Sequence, residues 1–175
     1  MCMMCGNPAH LYTLATRPAH RLVGRYWEGS YEEAAAGALH SLIGEMKELS
    51  ARHERFWRSP IVGLSWNDRS DGFRYFCGFA LDAPQLPEGL AALEVPETDY
   101  ADIWHGPGDG DVIENYRTMM EWMADNRLSH DTSFCHQREE YAPDVDLSAP
   151  PSLRLMLPVI RPSNPVAAPG RFVSM

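Results

Sequence analysis

Apolar and polar residues follow two periods along this chain, and these periods predict strands and helices in a definite order. Extended segments are predicted over 10–17 and 21–27, and apolar residues at every third or fourth position predict a helix over 31–52. A short apolar run predicts a strand over 61–66, and clean alternation predicts a strand with one packed face over 73–81. The first half is therefore predicted to be strand, helix, strand, strand.

The second half repeats this order. Strand segments are predicted over 91–105, with an interruption near Pro96, and a second apolar stripe predicts a helix over 112–126. Two further strands are predicted over 134–141 and 153–160. Sequence identity between the halves is otherwise low, so the predicted repeat depends on the pattern of elements.

Each predicted helix begins with the same local signal. Ser30 is followed three residues later by Glu33, and Asp111 is followed three residues later by Glu114. A capping residue with a carboxylate three places on is typical of a helix start. A tryptophan and a glycine precede each cap, so the chain is predicted to use one motif twice, with a ligand cleft at the junction.

The predicted fold class is α+β, with two pseudo-symmetric strand-helix-strand-strand repeats that form an antiparallel sheet carrying two long helices. We expect a single domain over 10–161, with repeats over 10–82 and 90–161. An N-terminal extension over 1–9 and a C-terminal tail over 162–175 are predicted to flank it.

Composition narrows the possible partners. The chain has 175 residues, a net charge of −9, 45% hydrophobic residues and 22% charged residues, which is ordinary for a globular domain. Binding to a nucleic acid backbone needs a basic surface, so no nucleic acid partner is expected. No apolar run is long enough for a membrane span and no signal peptide is visible, so we expect a cytoplasmic protein without a membrane partner.

The cysteines and histidines give little support for a metal. Cys2 and Cys5 have metal-ligand spacing, but a second pair is missing, because Cys77 and Cys135 lie in separate predicted strands. In the cytosol all four thiols are expected to be reduced. Of the histidines only His105 lies near the predicted cleft, and its expected role is structural. No metal and no cofactor are therefore predicted.

Several short motifs occur in an order that resembles the GyrI-like family. They are Tyr100-Ala101, His105-Gly106-Pro107, Tyr116 and Trp122 in a helix, Glu139-Glu140-Tyr141, and the closing run Leu155-Met156-Leu157-Pro158-Val159. The family is the bacterial effector-binding domain found at the carboxy end of some AraC-type and MerR-type multidrug regulators, and alone in small proteins. The resemblance covers residues 10–161 and implies a stand-alone ligand-binding protein without a helix-turn-helix segment.

The resemblance places an acidic residue, here Glu139, inside a ligand pocket. In a strand Glu139 and Tyr141 point to the same face. A carboxylate among aromatic rings loses hydration, which raises its pKa, and a lipophilic cation can restore the balance. The alternative is that Glu139 is an exposed strand carboxylate beside Arg138, as most glutamates are.

Aromatic residues supply the remaining pocket candidates. They are Tyr75, Trp104, Trp122 and Tyr141, with Trp27 as the pseudo-symmetric mate of Trp104. As a group they suit flat apolar ligands. Each of them taken alone also fits a role in core packing, where large rings dominate.

Three functions are consistent with these residues. The first is reversible capture of a small, aromatic and lipophilic compound, either neutral or cationic, between the repeats, with Glu139 setting its orientation. The second, implied by the resemblance, is hydrolysis of strained cyclopropane-containing electrophiles in the same pocket, with Glu139 and Tyr141 as catalytic residues. The third is a protein partner, as in gyrase inhibition. The sequence leaves open whether a bound ligand is turned over.

Overall fold

The computed structural model describes residues 11–53 and 58–162. In chain order the elements are β1 (Thr13–Arg17), β2 (His20–Ser30), α1 (Tyr31–Ala35), α2 (Ala38–His53), β3 (Ile61–Trp66), β4 (Gly72–Ala80), β5 (Ala91–Val95), β6 (Thr98–His105), α3 (Val112–Asp125), β7 (Ser129–His130), β8 (Gln137–Tyr141) and β9 (Leu153–Ile160). The predicted extension over 1–9, with its two cysteines, and all but the first residue of the predicted tail lie outside the described residues.

The strands form one antiparallel sheet in the order β1-β6-β9-β8-β3-β4-β2-β5, and β7 adds to β9. This order is symmetric about the contact between β3 and β8, which joins the two halves. The outermost strands are exchanged, because β1 pairs with β6 of the second half and β5 pairs with β2 of the first. The α+β class with an antiparallel sheet is confirmed, and the centre of the sheet is the junction between the halves.

The predicted helix over 31–52 is two helices in the structure. Gly37 separates α1 from α2 with a φ of 106°, a left-handed conformation that glycine adopts without strain. Ser30 and Glu33 form the predicted reciprocal capping box at the start of α1. At the start of α3, Asp111 caps the helix as predicted, whereas Glu114 pairs with Arg117 instead of completing a box.

The helices cover one face of the sheet and create two cores there. One core lies under α2 and includes Ile43, Met46 and Phe79, and the other lies under α3 and includes Met119 and Leu155. The side chain of Tyr141 packs against both cores. Tyr141 therefore joins the two cores across the seam between the halves on the helical side.

Strand β4 departs from the prediction that only one of its faces is packed. Tyr75 and Cys77 face the helices, while Phe76 on the opposite face is fully buried with Leu22 and Leu64 in a third apolar cluster. Because Phe134 and Cys135, in the segment before β8, pack into this cluster on the reverse face, both faces of β4 are buried.

We predict that Asp111→Ala destabilises the fold through the start of α3. The Asp111 carboxylate accepts hydrogen bonds from the backbone N–H groups of Ile113 (2.7 Å) and Glu114 (3.4 Å). Loss of such a cap costs about 1 kcal/mol in the free energy of unfolding, measurable by urea denaturation. Asp111→Asn should keep most of this stability, and equal losses in the two variants would show that the cap is not the cause.

Candidate functional site

Glu139 lies at the centre of the molecule. It is the middle residue of β8 and pairs with Gly63 of β3 on one side and with Leu155 of β9 on the other. Its side chain points to the helical face, deep between the two cores, and the residue keeps partial exposure because it lines two cavities. The carboxylate thus occupies the pseudo-symmetry axis of the fold.

Three tyrosine hydroxyls surround this carboxylate. Tyr141 donates to Oε2 at 3.0 Å, Tyr75 reaches the same oxygen at 3.5 Å, and Tyr116 donates to Oε1 at 3.4 Å. Tyr75 comes from β4 of the first half, and Tyr116 comes from α3 of the second. Both halves of the molecule therefore hold the Glu139 side chain in place.

The surroundings of Glu139 change its acid-base behaviour. Burial raises the pKa of the Glu139 carboxyl above its usual range, and the tyrosine hydrogen bonds partly oppose that rise. Burial, followed by the nearby negative charge of Glu139, raises the pKa of each tyrosine well above 10, so all three hydroxyls remain donors. Within the described residues no cation forms an ion pair with Glu139.

Gly63 makes this arrangement possible. A Cβ atom at position 63 would lie 1.8 Å from the Tyr75 hydroxyl oxygen and 2.5 Å from the ring carbon that carries it. The phenol ring of Tyr75 thus crosses β3 directly above Gly63, which is the residue paired with Glu139. Any larger residue at position 63 would displace the ring from its path to the carboxylate.

Two cavities flank the carboxylate, and Val112 and Glu139 line both of them. The first, of about 270 Å³, lies between the starts of α1 and α3 and is lined by aromatic residues such as Phe73, with Gln137 among its polar groups. The second, of about 190 Å³, extends from Tyr141 to the loop before β9. The side chains of Tyr31 and Ile113 are 52% and 79% exposed at the rim of the first cavity.

The structure brings together three of the predicted site residues, namely Glu139, Tyr141 and Tyr75. Trp27 lines neither cavity. It packs against Phe73, which lines the first cavity, with ring centroids 5.3 Å apart. The sequence pattern had already placed Tyr75 on the same face as Phe73, although Phe73 was not among the predicted site residues.

Two predicted tryptophans lie elsewhere. Trp122 packs against Tyr12 in the core under α3, with ring centroids 5.7 Å apart. Trp104 faces the opposite side of the sheet, because it pairs with Arg154, which in turn pairs with Glu140 and not with Glu139. Neither ring lines the two cavities beside Glu139. His105 is buried, and its Nδ1 lies 2.9 Å from the side-chain amide nitrogen of Asn115.

Tyr116 and Gly63 were not predicted to be site residues. Tyr116 lies on the apolar face of α3, where an aromatic residue is indistinguishable from a core residue by its spacing alone. Gly63 carries no side chain, and its role depends on a ring from the neighbouring strand. The pairing of β3 with both β4 and β8 brings Gly63 to Tyr75 and Glu139, and the position of α3 against the sheet brings Tyr116 to the same carboxylate.

The described residues contain no cluster of three or more side chains that could hold a metal ion. Cys77 and Cys135 are buried free thiols, and burial raises the pKa of Cys135 to about 12, so neither favours the reactive thiolate form. None of the described helices is both long and apolar enough to cross a bilayer.

Comparison with known proteins points to one family. The model of the GyrI-like small molecule binding domain matches residues 11–159. A search of curated protein sequences finds no significant match. Among solved structures the fold is similar to the EcmrR C-terminal domain, with a TM-score of 0.64, 13% identity, and coverage of 87% of this chain and 99% of that one.

Two further structures share the fold. SAV2435 bound to tetraphenylphosphonium has a TM-score of 0.65 and 15% identity, and the match covers 86% of this chain and 94% of that chain. A hydrolase from Listeria innocua has a TM-score of 0.55 and 14% identity, with 85% and 91% covered. At these identities the likeness shows a common architecture and leaves the ligand open.

We predict that Gly63→Ala disturbs the site by overpacking. The added methyl group collides with the fully buried Tyr75 and forces its ring away from Glu139, so we expect a loss of about 1–3 kcal/mol in the free energy of unfolding. Gly44→Ala in α2 is the matched control. Its Cβ meets only Leu147 at 3.7 Å, so the better helix propensity of alanine should stabilise the fold. Urea denaturation measures both, and an unchanged Gly63→Ala variant would contradict the described packing.

Proposed function

Because the chain belongs to the GyrI-like family of small-molecule-binding domains, we propose that it captures lipophilic cations carrying aromatic groups in the cleft between its halves. The observation that carries this proposal is the buried Glu139 carboxylate, held by three tyrosines and opening on apolar cavities. Such a carboxylate has lost much of its hydration without gaining a cation from the described residues. A bound cation supplies the missing counter-charge.

The energetics favour a cation with an apolar body over a small hydrated ion. Each ring face that contacts the cation contributes about 0.5–2 kcal/mol, and the rings of Phe73, Tyr75 and Tyr116 line the first cavity. Burial of the apolar body adds about 25 cal/mol for each Å² removed from water. The tyrosine hydroxyls keep the carboxylate oriented before the ligand arrives, which reduces the entropic cost of binding.

The dimensions of the cleft restrict the ligand. The two cavities, of about 270 and 190 Å³, have Val112 at the start of α3 and Glu139 as common lining residues. Ligand sites for drug-sized molecules occupy roughly 300–1,000 Å³. A compact aromatic cation fits the first cavity alone, and a larger one spans both cavities when Val112 changes its rotamer. The tetraphenylphosphonium complex of the similarly folded SAV2435 supports a ligand of the larger kind.

The same cleft also suits a hydrolytic reaction, which is a second candidate function. The raised pKa of the Glu139 carboxyl makes it a stronger base toward a water molecule in the cavity, with the Tyr141 hydroxyl at 3.0 Å to hold it in position. A fold relative from Listeria innocua is a hydrolase. Incubation with a cyclopropane-containing alkylator distinguishes the candidates, because ring-opened product formed over many turnovers supports hydrolysis and saturable binding without product supports capture.

We predict that Glu139→Gln weakens binding of tetraphenylphosphonium by about tenfold or more, equivalent to about 1.4 kcal/mol, as measured by isothermal titration calorimetry. The amide keeps the size and the hydrogen-bonding oxygen of the side chain but removes the charge. Glu94→Gln on the edge strand β5 makes the same change at an exposed position and should leave affinity unchanged. Equal affinities in wild type and Glu139→Gln would refute the role of this carboxylate.

The unliganded Glu139→Gln variant should melt at a higher temperature than wild type at pH 7. Because the folded pKa of Glu139 is raised above 4.5, folded protein holds this proton more tightly than unfolded protein does. The stability that the protonated group contributes is present below pH 4.5 and is lost as pH rises through the folded pKa. The glutamine does not suffer this loss. A lower melting temperature in calorimetry would show that the folded state favours the ionised carboxylate.

Affinity for tetraphenylphosphonium should fall as pH is lowered through the raised pKa of Glu139. The phosphonium charge is independent of pH, so the change reports the protein alone. Protonation of Glu139 removes the attraction, and the midpoint should lie above the 4.5 of an ordinary glutamate. Titrations between pH 4 and 8 measure this dependence, and Glu139→Gln should show none of it. A flat wild-type profile over this range would contradict the proposed pairing.

A further inference from the structure

A second group of charged side chains lies on the face of the sheet that carries no helix. Adjacent residues in a strand point to opposite faces, so Glu140 and Arg138 of β8 face away from the cleft that holds Glu139. Arg17 at the end of β1, Asp102 of β6 and Arg154 of β9 reach the same place. These five residues form what we call the reverse-face cluster.

Glu140 is the centre of the reverse-face cluster. It accepts hydrogen bonds from Arg17 through Nε at 3.0 Å and Nη2 at 2.7 Å, and from Arg138 through Nε at 2.9 Å. Arg154 donates through Nη1 to both oxygens of Asp102, at 2.7 and 2.6 Å. Three guanidinium groups thus face two carboxylates, and the cluster has one net positive charge in a chain of net charge −9.

The net charge of the reverse-face cluster at neutral pH depends on the ionisation states of Glu140 and His20. Burial alone would raise the pKa of Glu140, but the hydrogen bond from Arg17 and the charge of Arg138 outweigh burial and lower it, so this carboxylate stays ionised. His20 adds no charge, because its Nδ1–H faces the Pro18 carbonyl oxygen at 2.7 Å while its Nε2 is 3.0 Å from Nη1 of Arg138. That pairing assigns the neutral form of His20, and burial lowers the pKa of its imidazole further.

The reverse-face cluster borders a groove of about 430 Å³, which is larger than either cavity beside Glu139. The groove is lined mainly by apolar residues, namely Pro18, Leu22, Pro60, Val62 and Ala80. A neighbouring depression of about 320 Å³ shares Arg17, Pro60 and Glu140 with the groove and adds Arg154 and Trp104. The Trp104 side chain is 48% exposed there.

Two guanidinium groups of the cluster have N–H donors that are not used on Glu140 or Asp102. Arg17 uses Nε and Nη2 on Glu140, and Arg154 uses Nη1 on Asp102. Within the part of the chain that the structure describes, Nη1 of Arg17 and Nη2 of Arg154 make no hydrogen bond. Their side chains are partly exposed, unlike that of Arg138, which is 3% exposed. Both arginines line the depression, so they can bind one anion together.

We propose that the reverse face binds an amphipathic organic anion, a carboxylate attached to a flat apolar body. The carboxylate of the ligand lies between Arg17 and Arg154 and accepts charge-assisted hydrogen bonds from both guanidinium groups. Such bonds are stronger than hydrogen bonds between neutral groups. The apolar body extends into the groove against Leu22 and Val62, and Trp104 shields the ion pair from water on the other side. The site has the opposite charge preference to the Glu139 cleft and does not depend on it.

The test uses 2-naphthoate as probe, with 2-naphthylmethylammonium and 2-naphthalenemethanol as cationic and neutral counterparts of the same shape. Isothermal titration calorimetry should show one molecule of naphthoate per chain and weaker binding of both counterparts. Arg17→Gln and Arg154→Gln should each weaken naphthoate about tenfold. Arg161→Gln removes an arginine whose described partner is Asp99, outside the cluster, and should have no such effect. An equal loss of naphthoate affinity in all three variants would show that only the net charge of the protein matters, and would overturn the proposal.

Ala80→Phe is a second variant, which fills the groove without changing any charge. It should weaken naphthoate and leave tetraphenylphosphonium unaffected, and thermal melting shows whether each variant is folded. Glu139→Gln should leave naphthoate affinity unchanged. Displacement of naphthoate by tetraphenylphosphonium, or absence of binding at millimolar naphthoate, would each overturn the proposal. Failure of cation binding at Glu139 would leave it intact.

Discussion

The hydrogen bonds from three tyrosines to the Glu139 carboxylate are the interaction on which the centre of this structure depends. A carboxylate buried between two apolar cores would be strongly destabilising without donors, and the donors come from β4, β8 and α3. The two halves must therefore be in register across the β3–β8 pair for the charge to be tolerated. Among the described residues no cation pairs with this carboxylate. The buried charge that constrains folding is therefore also the origin of the proposed affinity for a cation.

Successive side chains of β8 point to opposite faces of the sheet, and the two faces differ in electrostatic environment. Glu139 and Tyr141 face the helices, where hydroxyls and rings surround a single negative charge. Arg138 and Glu140 face the other side, where arginines outnumber carboxylates. A β-sheet is a single layer of polypeptide, so the Glu139 carboxylate and the arginines of the other face lie close together without lining the same cavity. A single strand thus contributes residues to both proposed sites, which differ in charge preference.

Much of the fold could be predicted from local pattern. Alternation identified β4, the capping signals at Ser30 and Asp111 located the helix starts, and the recurrence of these elements indicated the duplicated α+β architecture. The break at Gly37 was missed, because one glycine within an apolar stripe does not by itself end a helix. The exchange of β1 and β5 between the halves was also beyond prediction, since strand pairing over long separations has no local signal.

The sequence by itself determined the class of elements, the family and the presence of an acidic residue two places before a tyrosine in one strand. Only the tertiary structure decided which aromatic rings reach that residue. Trp104 belongs to the opposite face because register across β6, β9 and β8 aligns it with Glu140, while Gly63 and Tyr116 meet Glu139 from elements far away in the chain. Periodicity shows which residues of one segment share a face. A site, however, is formed by side chains from different segments, and packing sets the relative positions of those segments.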